Sequence, residues 1–374
     1  MRRMARAGEP ADLLRCASLL RSANHPTWET PIIIGFEEAF KGRSMAGLPS
    51  ALTTALANTS QPPISLLLRL DLETYLDAAL TQLQSPATDL ITRTQILDVL
   101  SETRIKAARS LLVRLLSESD ETLLPSLLAT LQIYEDRQIA RAVIDQMSAW
   151  QGPTRDAAEG LLTSRLAWSR IWTESMDPSS AQSTSVTALA QLRRFEDPSI
   201  TADLDKWFDR EEEASDAIFD SEITRVRSIA SASGGDALNG HRHYQMRCAA
   251  CHSLFDEGGS VGPNLTSYQR DDLESLLLSI INPSVEIRAG YEMTTIETSD
   301  GRTLSGFLSR NDNELVGVRT VGGGETILQH AQITKLEMQE NSLMPESLLT
   351  GLSDEELRDL FTYLRSPQPL SIPK

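Results

Sequence analysis

Aromatic side chains make up only 5% of the 374 residues, too few for the stacking platforms that hold bases or sugars. Positive charge is short as well. The 35 Lys and Arg face 52 Asp and Glu, a formal net charge of −17 at pH 7, which argues against nucleic acid or an anionic membrane surface as partner. No apolar run approaches the ~18 residues of a membrane-spanning helix. Cysteine is scarce, and its three copies make no disulfide framework. The opening Met1-Arg2-Arg3-Met4-Ala5-Arg6 is basic, yet no apolar core of ~7–15 residues follows it, so it does not read as a signal peptide.

What is present is an ordinary globular composition, 40% hydrophobic and 23% charged, in a chain long enough for two or three cores. From about residue 10 to 225, helix follows helix. Thr92–Leu100, Ile105–Leu116, Thr122–Tyr134 and Ile139–Trp150 carry apolar residues at i, i+3, i+4 spacing. Gly152-Pro153 and Asp177-Pro178 are among the breaks between them. An echo runs through the region: the stretches 97–105, 131–139 and 192–200 each read as a helix end, an acidic turn and an apolar residue opening the next helix. Such a pattern predicts a stacked array of HEAT-like helical pairs over residues 1–230, with an irregular bundle as the alternative. Glu211-Glu212-Glu213 opens a further helix-like segment to about Ala230 and reads as a solvated face. Ser231-Ala232-Ser233-Gly234-Gly235 then reads as a flexible boundary.

Past that boundary the texture changes. Helices are expected over Asp236–Arg247 and Leu273–Ile281, and strands between about 291 and 338. Asp300-Gly301 is a strong hairpin turn between two of them, and Gly322-Gly323-Gly324 separates two more. Ser353-Asp354-Glu355-Glu356 is a capping box opening a last helix to about Arg365. Residues 367–374 form a tail.

Within this half lies Cys248-Ala249-Ala250-Cys251-His252. Two thiols three residues apart on one helical turn reach the two vinyl groups of one porphyrin edge, and the next imidazole meets the iron, so the run reads as a covalent haem c site, one per chain. Two other chemistries use CxxC: a thioredoxin-like pair, which needs a βαβ context, and zinc, for which His241 and His243 could complete a four-ligand set. Cys16, on an amphipathic helical pattern, reads as a buried structural thiol. A second axial ligand is offered by Met344 in Ser342-Leu343-Met344-Pro345; methionine opposite histidine raises the potential and closes the site to oxygen chemistry. His330 is the rival ligand, while Met293 and Met338, on expected strands, read as core. Pro263, in Gly262-Pro263-Asn264-Leu265, is placed to accept the Nδ1 proton of His252 on its carbonyl, unless the pair is an ordinary turn.

Gly240-x3-Tyr244-x3-Cys248-x2-Cys251-His252, with Gly262-Pro263-Asn264-Leu265-Thr266, Ile281-Asn282-Pro283-Ser284, Ser342-Leu343-Met344-Pro345 and Leu360-Phe361-Thr362-Tyr363-Leu364, resembles a class I cytochrome c. More narrowly, it resembles the haem-binding domain family of Planctomycetes and Verrucomicrobia, over about residues 236–366. That resemblance implies His252 and Met344 as the axial pair, a β insert between them, and Tyr244 packed on Phe361 or Leu364 where the first and last helices cross. Family members often carry helical repeats upstream and, before those, a β-propeller resembling sugar dehydrogenases. No such propeller is read here, so no substrate is implied.

The resulting expectation is a mainly α protein: a HEAT-like α-solenoid over 1–230, then a cytochrome c-like domain over 231–366 with a β insert at about 291–338. It would carry single electrons between a redox partner, such as a dehydrogenase, and a respiratory acceptor. An exported, periplasmic location is expected, with the true start upstream or the chain a piece of a longer protein. Two alternatives stay open. The helical array is the working part of an interaction scaffold, its own partner unknown, or the iron has an open position, as in a peroxidase.

Overall fold

Acidic and hydroxyl side chains stand where helices need caps. Asp71, Asp89, Asp136, Asp177, Ser185 and Asp197 each accept a backbone N–H from the first turn of the helix they precede, which satisfies donors that the helix leaves without a partner. The computed structural model describes the chain except residues 24, 209–215, 260, 321–323, 340, 347, 368 and 370–374. The described residues are mainly helical, with two small sheets, and divide into two compact units: 1–134 with 327–329, and 135–326 with 330–374.

The first unit holds α1 (Arg2–Ala7), α2 (Pro10–Ala23), α3 (Pro26–Phe40), α4 (Ser50–Ala57), α5 (Ile64–Leu70), α6 (Leu72–Gln84), α7 (Leu90–Thr103), α8 (Arg109–Glu118) and α9 (Leu124–Leu131). Cys16, Phe36, Leu52, Leu56 and Leu66 share one buried cluster, so Cys16 is the structural thiol that its helical pattern predicts. Helix α5 contacts α7, and α7 contacts α9.

The second unit continues with α10 (Arg137–Ile144), α11 (Gly152–Leu162), α12 (Leu166–Glu174), α13 (Pro178–Ser183), α14 (Val186–Arg193), α15 (Pro198–Leu204) and α16 (Asp216–Ala230). The run Glu211-Glu212-Glu213 lies outside the described residues. The acidic echo divides here. Asp136 and Asp197 cap α10 and α15, whereas α7 runs on through Glu102 to Thr103. Glu102 is a longer side chain and a poorer cap, and its carboxylate pairs instead with Arg69 at 2.7 Å.

Helix α17 (Ala237–Arg247), capped by Asp236, and α19 (Asp354–Leu364), opened by the reciprocal Ser353/Glu356 box, pack against each other; α18 (Leu273–Ile281) and α16 complete their core. Tyr244, Leu277, Leu357, Leu360 and Phe361 lie in that core together with Val226 and Ala230 of α16. Gly240 permits the crossing: a Cβ there would stand 2.0 Å from the Asp359 carbonyl oxygen. Composition marks 231–235 as flexible, yet a Cβ on Gly235 would meet Thr362 Oγ1 at 2.2 Å. The next residue donates its N–H to Asp359 Oδ1 at 2.7 Å, so the run ends pinned on α19.

A short hairpin, β1 (Ser253–Leu254) with β2 (Glu257–Gly258), follows α17. The β insert is a sheet of β3 (Met293–Thr298), β4 (Thr303–Asn311), β5 (Leu315–Thr320), β6 (Gly324–Gln329) and β7 (Ile333–Met338), in the order β6-β5-β4-β3-β7. Asp300-Gly301 makes the expected β3–β4 turn, with Gly301 at φ 75°; of the triple-glycine turn only Gly324 is described. Met293 is core, opposite Phe307. Met338 is not: it is 63% exposed. It ends an edge strand opposite Thr294, and alternation along the strand puts it on the face away from Met293. The β3–β4 turn is locked to the α11–α12 junction. The buried Arg165 donates to the Asp300 carbonyl, Arg302 Nε lies 3.0 Å from the Asp300 carboxylate, and Thr303 donates its N–H to the Ser164 carbonyl at 2.9 Å.

Candidate functional site

Helix α17 ends by tightening. Cys248 donates its N–H to the Tyr244 carbonyl, and the amides of Cys251 and His252 return to the Cys248 carbonyl at 3.1 and 2.9 Å. The result is a single turn carrying both thiols and the imidazole. Tyr244 fixes it from inside the core, its hydroxyl 2.7 Å from the His252 carbonyl oxygen and 3.1 Å from that of Glu257. Burial holds this phenol protonated well above its usual range. Its aromatic neighbour is Tyr363, with ring centroids 5.4 Å apart, while Phe361 and Leu364 lie in the same buried cluster.

His252 Nδ1 stands 2.9 Å from the Pro263 carbonyl oxygen, the pairing expected for these two residues. With the proton on Nδ1, the lone pair is left on Nε2. Burial pushes the imidazole pKa down, which favours that neutral form. Gly262 makes room for it. A Cβ at this position would lie 2.7 Å from the ring Cε1 and 2.8 Å from Nδ1, while the Gly262 N–H donates to the Cys251 carbonyl at 2.8 Å.

Both thiols of the turn are free and half-buried, and burial raises each pKa to about 12. They are therefore thiols at neutral pH. His241 turns to Glu257, with Nε2 2.8 Å from Oε2; His243 is buried with Nε2 3.9 Å from Glu356. Among the described residues no three His, Cys, Asp or Glu side chains form a metal-holding group.

Met344 follows the β insert in sequence. It packs on the buried cluster that also carries Cys248, and its neighbour Leu343 packs in a cluster with Val261, Met293, Phe307 and Cys251. His330 is exposed, its Nε2 2.7 Å from the Asp312 carbonyl oxygen between β4 and β5. Thus Cys248, Cys251, His252 and Pro263 are gathered, Met344 borders the same core as Cys248, and His330 is occupied elsewhere.

Three further residues belong to the site. Arg247 donates to the carbonyls of Leu348 and Thr350, and Arg194 to that of Ser342. Asp156, on α11, lies close enough to Cys251 to raise its pKa, and burial lifts the Asp156 carboxyl itself to about 7. Arg247 adjoins the motif in sequence. Nothing in the sequence marks Arg194 or Asp156, which lie 54 and 92 positions before Cys248. No family model matches the chain, and no curated protein matches it.

Proposed function

We propose that the chain is a mono-haem c-type cytochrome that passes single electrons. Cys248 and Cys251 would hold the porphyrin edge through thioether bonds, with His252 Nε2 and the Met344 thioether as the axial ligands. The observation that carries this reading is the His252–Pro263 hydrogen bond beside the Gly262 cradle. A structural histidine does not need its second nitrogen kept free, whereas an iron ligand does. The bound haem would supply the one-electron couple. The chain's part is to keep the imidazole neutral and oriented, to wall the site with apolar side chains, and to bring the methionine loop against the attachment turn.

The upstream helices are read as a HEAT-like array. Supporting this, alternate helices touch, α5 with α7 and α7 with α9, then α10 with α12. A redox partner such as a dehydrogenase on one side and a respiratory acceptor on the other fits such a carrier. An exported compartment fits covalent haem attachment. No helix among the described residues is long and apolar enough to cross a membrane.

The test is to express the chain behind a periplasmic signal with haem-maturation machinery and record optical spectra. A reduced c-type spectrum is expected, together with the weak far-red band that a methionine–iron bond gives in the oxidised state. Met344→Ala should lose only the far-red band. A wild-type spectrum without that band would remove Met344 from the iron and revive an open, catalytic site.

A further inference from the structure

The segment that carries Met344 is tied down from two directions. Arg247, the last residue of α17 and the one before Cys248, donates through Nη1 to the Leu348 carbonyl at 2.7 Å and the Thr350 carbonyl at 3.0 Å. Arg194, the residue closing α14, donates through Nη2 to the Ser342 carbonyl at 3.3 Å. Neither guanidinium has a carboxylate within 4.0 Å among the described residues, so each directs its donors to backbone oxygens. The segment adds its own bonds: Ser342 donates its N–H to Ser284 Oγ and Met344 to Ser342 Oγ, both at 3.1 Å. Leu343, Leu348 and Leu349 are buried on either side of the methionine.

We propose that Arg247 and Arg194 are positioning residues that grip the methionine segment before and after Met344 and so hold its thioether at the Cys248–His252 turn. The inference rests on the haem reading for its purpose, but the grip itself does not. Arg247 has the larger share. It makes two charge-assisted bonds, and it joins the segment directly to the residue preceding the first attachment cysteine. Arg194 brings the helical region into the same task. A guanidinium suits it because its rigid plane holds the donating nitrogen in place, whereas a lysine ammonium is a point charge on a flexible stem. With either grip gone, Met344 leaves its position more often, and a competing ligand is admitted in proportion to the time it is away.

The experiment titrates imidazole into the oxidised, haem-loaded full chain. Arg247→Met should be half-converted at about one-tenth of the wild-type imidazole concentration, the size expected when charge-assisted bonds are lost. Arg194→Met should change in the same direction by less, and Arg247→Lys should recover part of the difference. Arg270→Met is the control. Arg270 makes the same kind of bonds, to the carbonyls of Leu364 and Ser366 at 2.6 and 2.8 Å, at the far end of α19. It should lower the urea midpoint and leave the imidazole titration unmoved. Equal titrations for wild type and Arg247→Met, or an equal change in Arg270→Met, would overturn the proposal.

Hydrogen exchange of the amides of Ser342 and Met344, measured without haem, separates the two readings. Faster exchange in Arg247→Met and Arg194→Met supports the grip even if the wild-type chain takes up no haem, in which case the electron-transfer reading alone falls. Unchanged exchange counts against the grip.

Discussion

A methyl group at residue 262 would stand 2.7 Å from the His252 ring, closer than any relaxed contact allows. Gly262→Ala is therefore expected to break the His252–Pro263 hydrogen bond and tilt the imidazole. The measurement is the NMR signal of the Nδ1 proton, present in wild type and lost or shifted to exchange-broadened in the variant; an unchanged signal would mean the backbone yields instead. Asp156 gives a pH test. Its folded-state pKa of about 7 exceeds that of an ordinary carboxyl, so the folded chain keeps a proton that the unfolded chain releases. Stability then falls as pH rises from ~4 to about 7. Asp156→Asn should be more stable than wild type by up to ~4 kcal/mol at pH 8, with the gain gone near pH 4. Urea unfolding at the two pH values reads it. At this scale the sequence was informative where chemistry forces proximity: a CxxCH turn needs its imidazole oriented, and Gly-Pro ten residues on is placed to do it. It was silent on Arg194 and Asp156, because a side chain's reach from another helix leaves no local pattern.

Among the elements, the α17–α19 crossing depends on the missing side chain at Gly240. Gly240→Ala should push the helices apart and cost about 3 kcal/mol, as overpacking against backbone does. The urea midpoint checks it, with Ala237→Gly, on the same helix, as a comparison that changes propensity alone. Strand alternation and turn residues made the β insert legible, down to the Asp300-Gly301 hairpin. The fate of Met338 was not legible, because alternation tells which face a side chain takes but not which strand lies at the edge. The acidic echo was legible where it held Asp136 and Asp197, which are short enough to cap. It misled at Glu102, which reaches past the helix end to Arg69.

For the molecule as a whole, residues 135–326 and 330–374 belong to one compact unit. Composition points instead to a boundary near 230. The difference has a physical cause: a stretch of small residues looks flexible in sequence, whereas its packing on α19 depends on a helix more than a hundred residues away. Arg165 is buried at the join, beside Asp300 and Arg302. Arg165→Met should lower stability by about 3 kcal/mol, since it removes one member of a buried charged cluster. A fragment beginning at Glu135 should retain cooperative unfolding, and one beginning at Ser231, without Val226, Ala230 and Arg165, should melt lower and more gradually by circular dichroism. Equal melts would show that the upstream helices contribute nothing to the site's framework. The chain, exported and matured with haem, should be denatured and its intact mass measured. One haem retained per chain, still retained in Cys248→Ala through the thioether left at Cys251, and absent in the variant lacking both Cys248 and Cys251, is the predicted result. The mass of the bare polypeptide from the wild-type chain would contradict it.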